Sequence, residues 1–475
     1  MPPSWPWRRC RQNAGTVSVI DPTQIPDDVL SVCRQLRQAG FEAYLVGGSV
    51  RDLLVGRNVG DFDVATSARP EDTLRVFGAR FSVPTGLAHG TITVLVGQAP
   101  ELRQVEVTTF RGEGAYLDGR HPSVVTFGAT LAEDLSRRDF TMNAIAYEPQ
   151  THAIVDLHQG QQDIARRLVR TVGDPILRFS EDGLRPMRAV RQATQLGFDV
   201  DVATLAAISA TLDCFRKVSA ERVRDELFKL LLAPHPSRGI ELMRQTGLLG
   251  EVLPELLAGV SCSQNHFHKH DVYQHGLATL DAVPAEPILR LAALLHDVGK
   301  PRTRTPQPDT PGDFTFFKHE YVGAEMVEAI AGRLRLSRAE TELLVALVAN
   351  HMFYYTPEWT DGTVRRFVNR VQAGRIPLLF SLRAADVVSR GRDEDPEGET
   401  RELRTRIARV AAEDAALSVK DLAVNGSDVM RVLGVAPGPQ VGQILNRLLE
   451  RVLDDPAINQ KETLERLILE LASGS

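Results

Sequence analysis

The chain has 475 residues, a net charge of −6 and four cysteines. Its shares of hydrophobic residues (43%) and charged residues (24%) are ordinary for a soluble globular protein, which excludes a collagen-like, membrane or wholly disordered chain. This length predicts about two to four domains. The cysteines are widely spaced and form no CxxC pair, so a reducing cytoplasm is the expected location.

The isoelectric point near 6.1 excludes a strongly basic protein, so any contact with nucleic acid must depend on local positive charge. No window reaches the ~20 uncharged apolar residues of a membrane-spanning helix. Segment 1–23 opens with a Pro-rich basic run that lacks the apolar stretch of a secretory signal. We therefore expect no membrane partner and a disordered extension over residues 1–23.

Residues 24–170 alternate strand-like runs, at 43–46, 91–96 and 105–107, with helical patterns. From Ile176 onward apolar residues recur at helical spacing, and Gly and Pro fall mainly between the runs. The predicted fold class is a multidomain protein with an α+β head of mixed sheet and helices at 24–170. All-α domains follow at 171–260, 261–395 and 396–475, with a polar linker at 390–399 before the last.

A glycine turn follows the first strand-like run. Gly47, Gly48 and Ser49 lie between that run and a helical segment that carries Arg51. Glycine lets the backbone approach a ligand closely, the free N–H groups of a helix N-terminus attract anions, and arginine adds a forked cation. Such turns are also common as purely structural features. Gly48 and Arg51 are candidate phosphate-binding residues.

Two aspartates follow the glycine turn. Asp61 and Asp63 flank Phe62 at a spacing of two, so on a strand their side chains point to one face. Adjacent carboxylates repel, and a divalent cation such as Mg²⁺ holding a triphosphate is the usual reason that a protein tolerates them. Glu106, on a further strand-like run, would complete a two-metal site for in-line phosphoryl transfer. The alternative is an exposed edge strand without chemistry.

Two further blocks combine arginine with acids or amides. The first contains Arg138, Asp139 and Asn143, and by its residues alone it resembles a capped helix start. The second spaces its charges three apart on a predicted helix, for which a solvated ion-pair face is the ordinary explanation. It comprises Asp182, Arg185, Arg188 and Arg191. An aspartate with an arginine also offers an acceptor and a donor that match the Watson–Crick edge of cytosine or adenine.

Histidines recur around a His-Asp doublet in the third segment. Lone histidines are usually core residues, but neutral imidazoles with carboxylates are the ligands of hydrolytic transition-metal sites. The candidate ligands are His275, His296, Asp297, His319, His351 and Asp386. The alternative is a helical domain that only binds RNA.

The run LVGGSVRDLLVGRNVGDFDVAT at residues 45–66 resembles the signature of the polymerase-β-like nucleotidyltransferases, in the bacterial class that includes CCA-adding enzymes and poly(A) polymerases. The resemblance implies that Gly48 and Arg51 hold the triphosphate and that Asp61 and Asp63 bind catalytic Mg²⁺. Residues 136–144 resemble the family's RRDFTxNA element, and residues 181–185 its EDxxR element. These imply phosphate binding by Arg138, ribose recognition by Asp139 and Asn143, a protein template for C and then A in Asp182 and Arg185, and support from Arg188 and Arg191.

The histidine segment resembles the HD phosphohydrolase superfamily, with His319 and His351 matching the added ligands of its two-metal members. This implies a transition-metal ion such as Ni²⁺ or Mn²⁺ and a phosphodiesterase or phosphatase activity. The element at 219–230 resembles the family's neck helix and is interpreted as structural. A full-length loop after residue 111, which in the family helps to switch from C to A, implies that A can be added.

The predicted architecture is thus a nucleotidyltransferase palm, a neck, an HD domain and a tail. The predicted function is addition of CCA to tRNA from CTP and ATP, by a monomer or a homodimer. Addition of A alone and poly(A) synthesis remain alternatives within the family. An HD phosphohydrolase with a degenerate head is the alternative from another class.

Overall fold

The computed structural model describes residues 19–87, 90–97, 102–112, 128–265, 269–307, 310, 313–391, 395–412 and 418–473. The chain divides into two compact units, Met1–Val252 and Leu253–Ser475. The finer division into head, neck, HD and tail domains stays a prediction.

The first unit is built on a seven-stranded mixed sheet of order β3-β4-β5-β2-β1-β6-β7. Its strands are β1 (Ala43–Val46), β2 (Phe62–Thr66), β3 (Ser82–Gly86), β4 (Thr91–Val96), β5 (Arg103–Thr109), β6 (Ile145–Glu148) and β7 (Ala153–Asp156). The three strand-like runs predicted from the sequence are β1, β4 and the middle of β5. A separate parallel pair joins β8 (Leu168–Val169) and β9 (Asp199–Val200).

The strand register brings the functional motifs together at the centre of the sheet. β2 is antiparallel to β1, with Val46 opposite Asp63. It is parallel to β5, with Asp63 opposite Glu106. Directly opposite residues have Cβ atoms only about 5 Å apart, so two acids on neighbouring strands share one face. The glycine turn at the end of β1 adjoins the same point, so the edge-strand alternative for Asp61 and Asp63 is wrong.

Helices cover the sheet and continue to the end of the unit. They are α1 (Asp27–Gln38), α2 (Gly48–Val55), α3 (Pro70–Phe77), α4 (Leu131–Ser136), α5 (Gly160–Ala165), α6 (Pro175–Glu181), α7 (Arg185–Leu196), α8 (Val202–Ala210), α9 (Leu212–Phe215), α10 (Ala220–Leu231), α11 (Pro236–Thr246) and α12 (Leu248–Val252). α7 packs against α10 and α11 through its buried face, which includes Met187, Val190 and Ala193. This packing brings α10 close to the arginines of α7.

The predicted disordered extension is too long at its C-terminal end. Residues 1–18 lie outside the described part of the chain, but Ile20 is buried with 3% of its surface exposed. A 3₁₀ helix spans Pro22–Gln24 and is capped by the Asp21 side chain, which accepts a hydrogen bond from Thr23 N. Burial of Ile20 removes apolar surface from water, which stabilises this segment against the first unit.

Where the structure describes the second unit, its regular elements are helices and one two-stranded ribbon, β10 (Thr305–Pro306) with β11 (Phe314–Thr315). Its helices are α13 (Val272–Ala282), α14 (Pro287–Leu295), α15 (Lys300–Thr303), α16 (His319–Arg333), α17 (Arg338–Asn350), α18 (Asp361–Val371), α19 (Ile376–Ser389), α20 (Gly398–Ala412), α21 (Gly426–Leu433), α22 (Pro439–Asp454) and α23 (Lys461–Ser473). The last three helices bury a hydrophobic cluster of their own around Val429, Leu448 and Ile468. Among the described residues no helix combines the length and apolarity needed to cross a membrane.

Candidate active site and metal centre

A cavity of about 730 Å³ opens on the first unit beside the end of β1. A volume of this size is typical of small-molecule sites. Every candidate site residue that the sequence singled out in the first unit lines it, namely Gly48, Arg51, Asp61, Asp63, Glu106, Arg138, Asp139, Asn143, Asp182, Arg185, Arg188 and Arg191. The fold therefore brings together residues that are up to 143 positions apart in the sequence (191 − 48).

The glycine turn has the geometry that the motif predicted. Gly47 precedes α2 with φ of +75°, a conformation that side chains other than glycine rarely adopt. A Cβ on Gly47 would lie 3.2 Å from Arg138 Nη1 and 3.4 Å from Asp63 Oδ2. Ser49 Oγ donates to Val46 O at 2.9 Å, which ties the turn to the strand. The first turn of α2 and Arg51 thus present donors to the cavity.

The acidic residues of the cavity lie close enough for their charges to repel one another. Burial first, and then the charges of Glu106 and Asp61, raise the pKa of Asp63 to about 6, against a partial opposing effect of Arg138. Ionised carboxylates are favoured when a cation joins them, and oxygen ligands suit Mg²⁺. The donor set of Asp61, Asp63 and Glu106 therefore fits a divalent cation of this kind.

We expect the carboxyl group of Asp63 to titrate near pH 6 in metal-free protein, and not near 3.8. Because Mg²⁺ binds the ionised form, saturating Mg²⁺ should move the midpoint to lower pH. Carbon NMR of aspartate-labelled protein measures both midpoints, and Asp63→Asn identifies the signal. A titration midpoint near pH 3.8 that does not change when Mg²⁺ is added would contradict a cation site shared by these carboxylates.

A chain of hydrogen bonds connects the glycine turn to α7. Arg51 Nη1 donates to Asn143 Oδ1 at 2.9 Å, and Asn143 Nδ2 donates to Asp139 Oδ1 at 3.0 Å. Arg188 Nη2 donates to the other oxygen of Asp139 at 2.6 Å. Burial alone would raise the pKa of Asp139, but Arg188 and Asn143 hold it well below its usual range. The Asp139 carboxylate therefore stays ionised, and these hydrogen bonds set its orientation before any ligand binds.

One member of this network was missed by the sequence reasoning. Gln192 Oε1 accepts from Arg51 Nη1 at 3.2 Å and from Asn143 Nδ2 at 3.0 Å. It lies four residues after Arg188 and is buried on the same side of α7. The residue type of Gln192, a neutral amide within an arginine-rich helix, does not predict a role in the site. Its spacing from Arg188, however, places both residues on one face of α7.

The block that contains Asp182 differs from the predicted helix. α6 ends at Glu181, Asp182 lies in the turn, and α7 begins at Arg185. Asp182 has an extended backbone (φ −139°, ψ 109°), which ends α6. A Cβ on Gly183 would lie 2.3 Å from Cys214 O, so this turn requires glycine. Asp182 and Arg185 share the cavity but are not each other's side-chain partners, because Arg185 pairs with Glu181 and Asp182 with Arg222.

The predicted loop for switching from C to A lies largely within residues 113–127, outside the described residues. Arg191 is held by Glu226 of α10, with Nε and Oε2 2.6 Å apart. Glu226 and Arg222 belong to the helix that the sequence reasoning interpreted as structural. That interpretation is incomplete, since Arg222 also lines the cavity.

The six predicted ligands of the second unit converge on one buried centre. His275 and His296 come from α13 and the end of α14, His319 from the start of α16, His351 from the end of α17 and Asp386 from α19. Asp297 lies in the middle. Its Oδ2 lies 3.2 Å from His296 Nε2 and 3.6 Å from His275 Nε2, while its Oδ1 lies 3.2 Å from His319 Nε2 and 3.7 Å from His351 Nε2. Asp386 Oδ1 lies 3.1 Å from His275 Nε2.

The hydrogen bonds of three of the imidazoles occupy Nδ1 and direct Nε2 toward the other ligands of the centre. His296, His319 and His351 each place Nδ1 2.7–2.8 Å from a backbone carbonyl oxygen, so Nδ1 must carry the proton. The Nε2 atoms of His319 and His351 then face each other at 3.2 Å. Burial lowers the pKa of His351 to about 4. A cation between two Nε2 lone pairs at this distance removes their repulsion, which is the arrangement of a metal centre.

Two ion positions that share Asp297 account for the geometry. The first group comprises His275, His296 and Asp297, and the second comprises Asp297, His319 and His351. Ligands about 2 Å from one ion are separated by roughly 3 Å, as observed. A neighbouring cavity of about 330 Å³ is lined by Asp297, Lys300 and Arg390, so cations adjoin the centre on the open side.

Gly299 lets α16 approach the His-Asp doublet. A Cβ there would lie 2.3 Å from His319 O and 2.7 Å from Gly323 N. We expect Gly299→Ala to destabilise the second unit by about 1–3 kcal/mol and to reduce its metal content, because α16 must move with His319. Gly332→Ala is the control, because Gly332 lies on α16 and a Cβ there would have no atom within 4 Å. Thermal unfolding and metal analysis measure the effects, and equal behaviour of the two variants would contradict this role.

Family models match along the chain. The model described as "Poly A polymerase head domain" matches residues 43–170, and "HD domain" matches residues 276–403. "Probable RNA and SrmB- binding site of polymerase A" matches residues 197–259, and a tRNA nucleotidyltransferase domain 2 model matches residues 395–468. The four models match successive segments of the chain.

The CCA-adding enzyme of Levilactobacillus brevis is 34% identical to this chain, over 91% of the chain and 95% of that protein. The chain belongs to the tRNA nucleotidyltransferase family. The A-adding tRNA nucleotidyltransferase of Deinococcus radiodurans is 37% identical, over 86% of this chain and 91% of that protein. The crystal structure of the Bacillus stearothermophilus CCA-adding enzyme in complex with CTP is similar with a TM-score of 0.68 and 30% identity, covering 94% of this chain and 98% of that one.

This tRNA nucleotidyltransferase therefore has the fold class that the sequence predicted. Membership of the family implies that its chemistry depends on a divalent metal ion, which agrees with the carboxylates of the head cavity. The alternative of an HD phosphohydrolase with a degenerate head does not agree with the structure, because the residues of the nucleotidyltransferase motifs are all present and lie together.

Proposed function

We propose that the first unit adds CCA to the 3′ end of tRNA, using CTP and then ATP. The observation that supports this most directly is the placement of Asp61, Asp63 and Glu106 beside the glycine turn, with Arg51 and Arg138 in the same cavity. Such a site can hold a nucleoside triphosphate and an RNA end without a nucleic-acid template. CCA-adding enzymes among the relatives agree with this activity.

The roles of the residues follow from their chemistry. Arg51, Arg138 and the first turn of α2 bind the triphosphate, since backbone N–H groups and guanidinium forks match phosphate oxygens. Asp139 and Asn143 orient the ribose. Mg²⁺ held by Asp61 and Asp63 would neutralise the charge of the transferring phosphoryl group. The RNA 3′-oxygen forms a bond to the α-phosphorus as the bond to pyrophosphate breaks, and Glu106 completes the acidic wall at this point.

Base selection belongs to the turn between α6 and α7. The carboxylate of Asp182 accepts from the exocyclic amino group of cytosine or adenine, and the Arg185 guanidinium donates to the ring acceptors. Arg188 and Arg191 extend the positive wall of the cavity toward the phosphates. Acceptor RNA is recognised by its shape, through contacts of arginine and lysine to phosphate and 2′-hydroxyl groups.

Three tRNA transcripts distinguish CCA addition from addition of A alone. They end at the discriminator base, at C and at CC, and each is given CTP and ATP separately and together. We expect the first to be extended by CC and then A, the second by C and then A, and the third by A. Extension of the CC-ended transcript alone would establish the A-adding activity of the Deinococcus radiodurans relative instead. Long A tails would indicate a poly(A) polymerase.

We also propose that the second unit hydrolyses phosphate esters. Two imidazoles lie on each side of Asp297, and Asp386 adjoins His275. The cavity beside them is lined by Lys300 and Arg390, and this arrangement supports the proposal. A transition-metal ion such as Ni²⁺ or Mn²⁺ in this centre would act as a Lewis acid toward the ester. Purified protein supplied with either ion should hydrolyse a 2′,3′-cyclic nucleotide. Absence of hydrolysis in a sample that contains bound metal would refute this function.

A further inference from the structure

Three charged side chains of the helix α10 lie in or beside the head cavity: Arg222 and Lys229 line it, and Glu226 holds Arg191, which also lines it. Arg222 and Glu226 lie one turn apart, so they point to the same side of α10. Glu226 pairs with Arg191, and Arg222 pairs with Asp182. The helix therefore contacts the block of residues that faces the incoming base, although it carries none of the residues assigned above to nucleotide binding.

The carboxylate of Asp182 is held at both oxygens. Its Oδ1 accepts from Leu184 N at 3.0 Å and from Arg222 Nη2 at 3.2 Å. Its Oδ2 accepts from the same Nη2 at 2.9 Å. Among the described residues, Leu184 and Arg222 are the hydrogen-bond partners of the Asp182 carboxylate. The exposed fraction is 20% for the Asp182 side chain and 27% for the Arg222 side chain, so the pair is partly shielded from water.

Arg185 does not take part in holding Asp182. Its guanidinium donates to Glu181, to Arg178 O at 2.8 Å and to Arg137 O at 3.2 Å. The orientation of the Asp182 carboxylate thus depends on Arg222 and on one backbone N–H. Without Arg222 the side chain keeps one hydrogen bond and gains rotamer freedom.

The orientation of this carboxylate matters for the choice of base. An ionised carboxylate offers about four lone-pair positions, of which Leu184 and Arg222 use three. The remaining position accepts from a hydrogen-bond donor such as an amino N–H and not from another acceptor. Cytosine and adenine carry an exocyclic amino group where uracil and guanine carry a carbonyl oxygen, which a fixed carboxylate repels.

We propose that Arg222 is a positioning residue for base selection. It fixes the carboxylate of Asp182 so that the cavity accepts cytosine and adenine, which have an amino group at C4 and C6, and rejects uracil and guanine, which have a carbonyl oxygen there. The inference rests on the proposed nucleotide addition and names a residue for its specificity. Arg222 acts through Asp182 and does not touch the reacting atoms.

The test compares wild type, Arg222→Ala, Arg222→Lys and Arg224→Ala. Arg224 lies on the same helix but pairs with Asp225, away from the cavity. The measurement is kcat/KM for CTP against UTP on discriminator-ended tRNA, and for ATP against GTP on CC-ended tRNA. We expect Arg222→Ala to lower both ratios about tenfold or more, mainly through KM for the correct nucleotide, in line with the loss of a charge-assisted hydrogen bond. Arg222→Lys should recover part of the ratio, and Arg224→Ala should retain the wild-type ratios.

A double-mutant cycle with Asp182→Asn separates positioning from a general structural effect. If Arg222 acts through Asp182, Arg222→Ala lowers the ratios little further in the Asp182→Asn background. Additive losses, or wild-type ratios in Arg222→Ala with a reduced kcat, would overturn the proposal. Wild-type protein that adds no nucleotide would instead refute the proposed function itself. Unfolding curves identify any variant that fails to fold, for which Arg222→Lys supplies the decisive ratios.

Discussion

Asp61→Asn should abolish nucleotide addition, with a loss of about 10³-fold or more in kcat. The substitution removes a charge that would hold the cation at the transferring phosphoryl group, where charge develops in the transition state. The geometry supports a shared role, because Asp61 raises the pKa of Asp63, which faces Glu106 across the strand pair. Single-turnover extension of CC-ended tRNA with ATP measures the effect.

The same preparation supplies its own control. Hydrolysis at the Asp297 centre should be unchanged, since every ligand of that centre belongs to the second unit. Asp72→Asn, on α3 and paired with Arg75, is a matched substitution that lies outside the cavity. Addition that persists in Asp61→Asn at more than a tenth of the wild-type rate would contradict the assignment of this carboxylate to catalysis.

Asp297→Asn should remove hydrolysis and bound transition metal together, while addition to tRNA persists. Asp297 is common to both groups of ligands, so one substitution weakens both ion positions. His296 and Lys300 hold its pKa well below the usual range despite a burial that would raise it, which keeps the carboxylate ionised for metal binding. We expect hydrolysis of a cyclic nucleotide to fall at least a hundredfold and the metal content per chain to drop.

Asp281→Asn, on α13, is the corresponding control. The Asp281 carboxylate interacts with Arg290 and is not part of either group of ligands. Metal analysis of both variants, with thermal unfolding of the metal-loaded protein, checks the result. Retention of a full complement of metal in Asp297→Asn would refute a centre that shares this residue.

The sequence determined the chemistry of both sites, because the motifs are local. A glycine turn between a strand and a helix, two acids at a spacing of two, and a His-Asp doublet each specify residue types whose chemistry does not depend on distant contacts. The resemblance carried by residues 45–66 also predicted the family. Strand periods and turn residues predicted the strands at 43–46 and 91–96 within their observed bounds.

The tertiary structure decided which of these residues act together. The parallel pairing of β2 with β5 places Glu106 opposite Asp63, which spacing alone cannot show. The extended backbone of Asp182 separates it from α7, so the predicted single helix is divided, and the turn packs Gly183 against Cys214. Gln192 and Arg222 were also identified only from the tertiary structure. Their contacts depend on the packing of α7 with the head and with α10, and neither residue type indicates a function in the sequence. Residue types and local spacing are written along the chain, whereas partners across the fold depend on strand register and helix packing.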